Sequence, residues 1–537
     1  MSSLVQSESS RAEYAAGVGV GLGALALAAS VLAFAQVIPA TTDLAGVALS
    51  DWLAGGLLVG ALALASVGVA SRLDAIDTTP DHTAGLSVVA GFGLLGLVTG
   101  GLVAAQTLGF STLWPVGALA GAAVAVALVT YPREDVALTV AGGGFAAFVA
   151  LVALLNVIGP GWRWTPIESS AVFTPNTVLP VLFGVAGLAL AWVSAQAHSG
   201  FGARGRERGA NFLVGANAAA MIALLVVIVG LIVVRGFEPM TRSIQYGLYW
   251  GPWFWFHVPL LDQYVIFSGP IVWFYWPFVM EGVALTNAVN GIAPAIVGTV
   301  WLVIGTVLFA VPLGVGTAVF LTEYAEQGRF TQLVEISTNG LWSTPSIVYG
   351  LFGLAFLVPR LGNTNSLLTG MLVLGFMLLP LVVITSREAL LNVPDEYRDA
   401  SAALGVSQWQ TIKSVVLPAA MPGVITGVIL GVGRIAGETA PILLVMTGEP
   451  FPTNGANVLG SFSFTSSFPF VDILNTGALL EPSSALPYQL FASISAGVGQ
   501  MGEGFAWATA LTLLLVVLGF YAIGIASRIY FRKKLEA

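Results

Sequence analysis

An all-α, polytopic membrane protein is the architecture expected of this chain, for three reasons. Of its 537 residues, 57% are hydrophobic and only 9% charged, with a mean hydropathy of +0.90. Apolar runs of about 20 residues recur along it, the length a helix needs to cross a hydrocarbon core about 30 Å thick. The runs lack the alternation of a lipid-facing barrel strand, and backbone groups in lipid must bond within their own segment, which leaves helices.

Candidate spans are 15–38, 51–71, 85–106, 114–130, 137–158, 178–196, 212–235, 291–321, 333–358, 367–386, 421–446 and 505–527, about twelve crossings. The opening "MSSLVQSESSRAEYAAGVGV" has no basic n-region, and its apolar run to Phe34 is long for a signal peptide, so it is expected to persist as the first span. With the N-terminus inside, Arg11, Arg72, Arg133, the Arg204–Arg208 group, Arg329, Arg387, Arg398, Lys413 and the C-terminal basic residues all fall on the inner face. Only Arg163, Arg235, Arg242 and Arg360 fall outside. The positive-inside rule therefore expects both termini to be cytoplasmic in a plasma-membrane protein, surrounded by membrane lipid.

The net charge of −8 comes with just three lysines, at 413, 533 and 534. Acidic loops of this kind suit a salt-loving prokaryote, where ionic strength screens their repulsion; no nucleic-acid partner is expected. The absence of cysteine excludes disulfides and thiolate chemistry and leaves the redox compartment open. His82, His198 and His257 lie apart, without metal-ligand spacing, and read as loop or interface residues.

A Gly/Arg-rich linker, "AHSGFGARGRERGAN" over 197–211, separates two sets of six spans. Region 1–200 is built from Ala, Gly, Val and Leu and has no evident role. Region 201–537 holds the long loops, the prolines and the embedded charges. Two of its outer segments are long. Residues 236–290 contain "GLYWGPWFWFHVPL" and "VWFYWPF", which read either as an interfacial aromatic anchor or as a docking surface. Residues 447–504 read as a re-entrant or external loop.

One inner segment, 391–420, is unusually polar: "YRDASAALGVSQWQTIKSVVLP". Pro394 suits a first helical turn, and Asp395 and Glu396 lie beside the positive end of the helix. The helix should run to about Leu404 and stop at a left-handed Gly405. Ser407 and Gln410 have capping-box spacing for a second helix. In that helix Trp409, Ile412 and Val415 form a narrow apolar stripe, and Leu417-Pro418 should close it before the next span. The expected shape is helix–Gly–helix on the inner face.

This passage resembles the cytoplasmic loop of ABC-importer permeases, Glu-Ala-Ala, three residues, Gly, nine residues, Ile-x-Leu-Pro. Asp399-Ala400-Ser401, Gly405 and Val415-x-Leu417-Pro418 keep every spacing, with Glu→Asp, Ala→Ser and Ile→Val departures. The resemblance implies a MetI-like permease core whose loop docks on a separate ATPase. The chain itself carries no P-loop, since none of its lysines follows a glycine. Cofactors bound by this chain are therefore not expected, and ATP and magnesium would belong to the partner ATPase.

The span after the loop, "GVILGVGRIAGETAPILLVM", places Arg434 and Glu438 one helical turn apart. Charges at mid-membrane cost about 2.5–3.5 kcal/mol each on insertion scales, so they face a cavity or a partner. Either this is a structural ion pair, or the arginine fork compensates an oxyanion in passage. "RIAGETAPILL" resembles the PstA-type permease of phosphate importers. So do "AIVGTVWLVIGTVLFAVPLGVGTAVFLTEY", "STPSIVYGLFGLAFLV" and "SSALPYQLF". The resemblance implies a substrate path containing Arg434 and Glu438, and Thr439, next to the glutamate, is a further candidate for it. Thr344 and Ser346, flanking Pro345 at a broken helix, would add hydroxyl or amide donors. It also implies a PstC-like second permease subunit, an ATPase dimer and an extracellular phosphate-binding protein. A permease for phosphonate, sulfate or molybdate would share all but the pocket, and a gradient-driven transporter would not need the loop. A membrane enzyme is disfavoured, because the spans carry no histidine, cysteine or clustered carboxylates for acid/base or metal chemistry.

Overall fold

A computed structural model describes residues 11–110, 112–167, 170–258, 263–284, 289–326, 328–458, 463–464, 471–472, 478–495 and 502–536. Two compact units divide the chain, Met1–Val229 and Gly230–Ala537. The cut falls within one 40-residue helix, inside the second half of the sequence division at 200/201.

The first unit contains α1 (Arg11–Phe34), α2 (Leu49–Arg72), α3 (Leu86–Thr107), α4 (Trp114–Thr130), α5 (Glu134–Leu154), α6 (Pro175–His198) and the start of α7 (Gly202–Thr241). Small residues let its helices approach closely, as lipid offers no hydrophobic gain for association. Gly23 of α1 meets the backbone of Gly187 and Ala191 on α6, and Gly100 of α3 abuts Gly117 and Gly121 of α4. Leu57, Leu64, Phe183 and Leu190 fill the centre. At one end the "YPRED" turn closes the unit. The carboxylate of the fully buried Glu134 accepts from the backbone N–H of Asp81 and of Gly202, both at 2.9 Å. Its other oxygen takes Arg206 Nη1 at 3.2 Å. Arg133 pairs with buried Asp135, whose hydrogen bond is the main reason the arginine's pKa is held above its ordinary value. Three loops are thus tied at one point.

The second unit begins in α7 and continues with strands β1 (Gln245–Val258) and β2 (Gln263–Tyr275). These pair antiparallel over their whole length, with a bulge between Pro252 and Phe254. The aromatic segment is therefore a long hairpin in a mainly helical fold, in which the other described strand pairs, Asp43–Leu44 with Val47–Ala48 and Ser463–Phe464 with Val471–Asp472, are two residues long. Then come α8 (Ala293–Tyr324), α9 (Arg329–Trp342), α10 (Ser346–Arg360), α11 (Leu367–Leu391), α12 (Asp395–Ala403), α13 (Gln408–Ala436), α14 (Ala440–Val445), α15 (Leu486–Ser495) and α16 (Glu503–Glu536). Helices α8, α11, α13 and α16 pack in sequence around Leu302, Leu374, Leu378, Val382 and Ile435.

Among the described residues ten helices are long and apolar enough to cross a membrane, or eleven with one bent pair, and α4 is a shorter apolar helix. Two expected spans are discontinuous. Residues 333–358 divide into α9 and α10, bent by 101° at Ser343-Thr344-Pro345, because proline cannot continue the preceding helix and drives the residue before it out of helical geometry. Residues 421–446 divide into α13 and α14 at Gly437-Glu438-Thr439. Within 447–504 the described residues include α15, and 459–462, 465–470, 473–477 and 496–501 lie outside the described residues.

Candidate functional site: a broken-helix arginine and a polar helix–glycine–helix segment

The two helix breaks meet. Helix α10 packs on α14, where Gly350 lies so close to Pro441 Cα that a β-carbon would sit 2.8 Å from it. Arg434 occupies the last turn of α13, where a cation suits the negative helix end. Glu438 lies beyond that end, in the break, so the sequence-expected pairing across one continuous helix is corrected: Gly437 caps α13 and the acid reaches back from non-helical backbone. The Arg434 Nε to Glu438 Oε1 distance is 3.6 Å, a loose pairing, with the side chains 35% and 17% exposed.

Trp342, the final residue of α9, completes the group. The Arg434 guanidinium carbon lies 4.3 Å from the centre of its ring, a geometry that stabilises a partly desolvated cation by about 1–2 kcal/mol. One face of the guanidinium is thus covered by indole and its Nε edge by a carboxylate. Among the described residues neither Nη group makes a hydrogen bond. That edge is the one that forks onto a tetrahedral or planar oxyanion. Tyr349 of α10 is buried nearby, its hydroxyl donating to Leu341 O at 2.9 Å and so clasping the bend.

The other expected path residues contribute differently. The Thr344 hydroxyl donates to Gly340 O at 3.0 Å and closes the end of α9. Half-buried Ser346 opens α10, and Thr439 precedes α14 without capping it. No hydrogen bond among the described residues joins them to Arg434. Trp342 was invisible to sequence reasoning because it reaches Arg434 only through the 101° bend.

The polar segment 391–420 forms the helix–Gly–helix shape. Helix α12 ends at Ala403, Gly405 has φ +72°, and Ser407 accepts the Gln410 N–H to start α13. The expected stop at Leu417-Pro418 is corrected: α13 continues through a wide turn at Ile412–Val416, and Pro418 sits where a new α-helical stretch tolerates it. Asp399, Ala400 and Gly405 are exposed, as are Leu404 and Trp409. Ser401 is buried, its hydroxyl donating to Tyr397 O at 3.0 Å. Val415 and Pro418, half-buried, line a cleft of about 590 Å³ with Val393, Pro394 and Tyr397, and Leu417 flanks a second cleft with Trp409.

Arg398 fixes this segment to the core. Its Nη2 bonds Glu323 Oε1 at 2.8 Å and Nε reaches Oε2 at 3.4 Å. The same guanidinium donates to Val393 O and Leu390 O at the end of α11. Gln408 Nε2 donates to Glu323 O at 2.7 Å. The Glu323 hydrogen bond raises the Arg398 pKa above its already high ordinary value, so the charge persists throughout the working pH range. The ends of α8, α11, α12 and α13 thus converge on one ion pair. The arginine counted in the sequence only as an inner-face charge, because its partner is 75 residues away.

A model of the family described as "Binding-protein-dependent transport system inner membrane component" matches residues 310–526. The solved inward-facing MetNI methionine ABC transporter aligns at 18% identity with a TM-score of 0.31, covering 45% of this chain and 94% of that one. The phosphate transport system permease protein PstA of Haemophilus influenzae is 32% identical over 248 residues, 46% of this chain and 78% of the relative. The probable ABC transporter permease protein YqgI of Bacillus subtilis is 34% identical over 231 residues, 43% of this chain and 75% of the relative. With three quarters of such relatives covered, the chain belongs to the binding-protein-dependent transport system inner membrane component family, as a multi-pass ABC transporter permease.

Proposed function

We propose that this permease forms one half of the translocation path of an ATP-driven phosphate importer. The observation that carries the reading is Arg434 at the break after α13, held by an indole face and one carboxylate, with neither Nη group hydrogen-bonded among the described residues. Phosphate presents paired oxygens that match this fork, and its charge replaces that of Glu438 as the arginine's counter-ion. The PstA names of the relatives agree with it.

In this reading a PstC-like subunit supplies the other half of the path. An ATPase dimer hydrolyses Mg-ATP, and an external binding protein delivers the ion. The ATPase grips the Asp399–Pro418 segment, whose exposed Leu404 and Trp409 offer apolar surface to it. Closure of the ATPases moves α12 and the start of α13, and the Arg398–Glu323 pair carries that movement to α8. Because α13 runs unbroken from Gln408 to Ala436, the same helix carries both the gripped end and Arg434. The lever side is cytoplasmic, and region 1–200 is an added membrane domain outside this machinery.

The test is labelled phosphate uptake by the assembled importer in vesicles, with sulfate, molybdate and phosphonate as competitors. Wild-type uptake should be blocked by excess phosphate alone. Arg434→Lys should lower uptake by about tenfold or more, because a point charge cannot form two parallel bonds. Stronger competition by sulfate, or full activity of Arg434→Lys in an intact complex, overturns the assignment.

A further inference from the structure

The β1–β2 hairpin plays no part in the reading above. Neither strand contains an Asp, Glu, Lys or Arg. The register places Tyr246, Leu248 and Trp250 on one face, opposite Phe274, Val272 and Pro270. On the other face Tyr249, Phe254 and Phe256 share the surface with Phe267. Both faces are open: Trp250 is 73%, Val272 78% and Phe254 59% exposed. Glycines under rings keep the ribbon thin, with Trp273 lying across Gly247 and Trp253 across Gly269.

The root of the hairpin is fastened where two membrane-crossing helices end. Trp276 Nε1 donates to Met240 O in the last turn of α7 at 2.6 Å, and the Tyr275 hydroxyl to Glu281 at 3.0 Å. Phe278 packs with Met240 and with Ile292, just before α8. Helix α8 then runs about 48 Å, at 1.5 Å per residue, before its far end meets Arg398. The hairpin thus emerges on the membrane face opposite the lever.

We propose that the hairpin is a lipid-binding paddle, lying in the headgroup and upper acyl region of that leaflet with lipid on both faces. Water is excluded as the surroundings, because an isolated two-stranded ribbon with two apolar faces has no core to support it. A groove on a single protein partner covers one face and strands the other. The hydrocarbon centre is excluded too: among the described residues the sheet has two strands, so each has an outer edge of backbone groups with no strand partner, of which Pro270 O takes the Trp253 indole N–H and the rest need partners that lipid tails cannot supply. The interface alone offers apolar contact to rings and hydrogen-bonding partners to edges, and Trp and Tyr concentrate there. Val233 and Val234, in the α7 helix that leads to the hairpin, are also apolar and exposed.

The chain has no cysteine, so single nitroxide labels can be placed at Trp250→Cys and Val272→Cys on one face and Phe254→Cys and Phe267→Cys on the other. In the full chain reconstituted in phosphatidylcholine/phosphatidylglycerol vesicles, collision with oxygen should exceed collision with a water-soluble nickel chelate roughly threefold or more at all four sites. A label at Tyr131, in a loop and 95% exposed, should show the reverse. Nickel-dominated collision on either face overturns the proposal. So does one face shielded from both reagents, which would identify a protein occupant, a second copy of this chain included. Should labelled chains fail to insert, tryptophan quenching by lipids brominated near the headgroup decides the matter. Wild type should lose more emission than a Trp250→Phe, Trp255→Phe double variant, and equal quenching overturns the proposal.

Discussion

At Arg434 the chemistry depends on which edge of the guanidinium is left free. Glu438 approaches Nε and the Trp342 ring covers a face, so the side chain is oriented without an Nη hydrogen bond among the described residues. Trp342 is in this sense a positioning residue, and it can be separated from a purely structural one. Trp342→Leu removes the aromatic face and should raise the KM for phosphate by about tenfold, the equivalent of about 1.4 kcal/mol of lost cation–π stabilisation. Maximal uptake should change much less, and Trp342→Tyr should restore most of the affinity. A structural role alone would lower complex yield and maximal rate together, with no rescue by tyrosine. Two charges within an apolar run announce themselves in a sequence, which is why Arg434 and Glu438 were legible. Trp342 was not, because an indole at the end of a helix has no spacing relation to a residue on a different helix.

At the scale of elements, the lever could be read closely because its signals are local. A proline start, a left-handed glycine and a Ser/Gln cap each act over three or four residues. Its continuity into the membrane was misjudged, since Leu417-Pro418 resembles a stop although proline is tolerated at a helical start. The break after Ala436 is legible only as a loosening at Gly433, Gly437 and Pro441: the short polar Gly437–Thr439 passage is flanked by apolar residues on both sides, and hydropathy does not register a change of backbone direction. Gly405 allows the glycine requirement to be tested apart from packing. Its φ is +72°, and no atom lies within 4 Å of where a β-carbon would be. Gly405→Val therefore introduces backbone strain of about 1–2 kcal/mol without a clash. Co-purification of the ATPase should fall severalfold while membrane insertion is unchanged. Gly405→Asn, which tolerates the left-handed region, should retain most of the binding. Equal loss in both variants would mean that the bare surface of the glycine is what matters, whereas no loss in either would remove this segment from the docking site.

For the whole molecule, the number and order of helices followed from hydropathy because lipid imposes one solution on the backbone. The hairpin escaped detection because both its faces are apolar, which erases the two-residue alternation that marks a strand. The role of the first unit was equally hidden, although its "YPRED" turn now has a physical account. Glu134 there is fully buried and accepts two backbone N–H groups and Arg206, joining the 81, 134 and 202–206 segments. The family match at 310–526 lies wholly within the second unit. If the first unit is an addition, loosening it should spare transport. Glu134→Gln can keep both backbone N–H bonds on one amide oxygen, but it turns an NH2 group toward Arg206, which is part-exposed and retains Asp81, so the local cost is about 1–3 kcal/mol. Amide exchange should accelerate around 78–81, 133–138 and 199–206, while phosphate uptake per assembled complex stays within about twofold of wild type, a small change on the scale where 1.4 kcal/mol is tenfold. Uptake that falls in step with the local loosening would instead place the first unit in the transport cycle, acting through the shared helix α7.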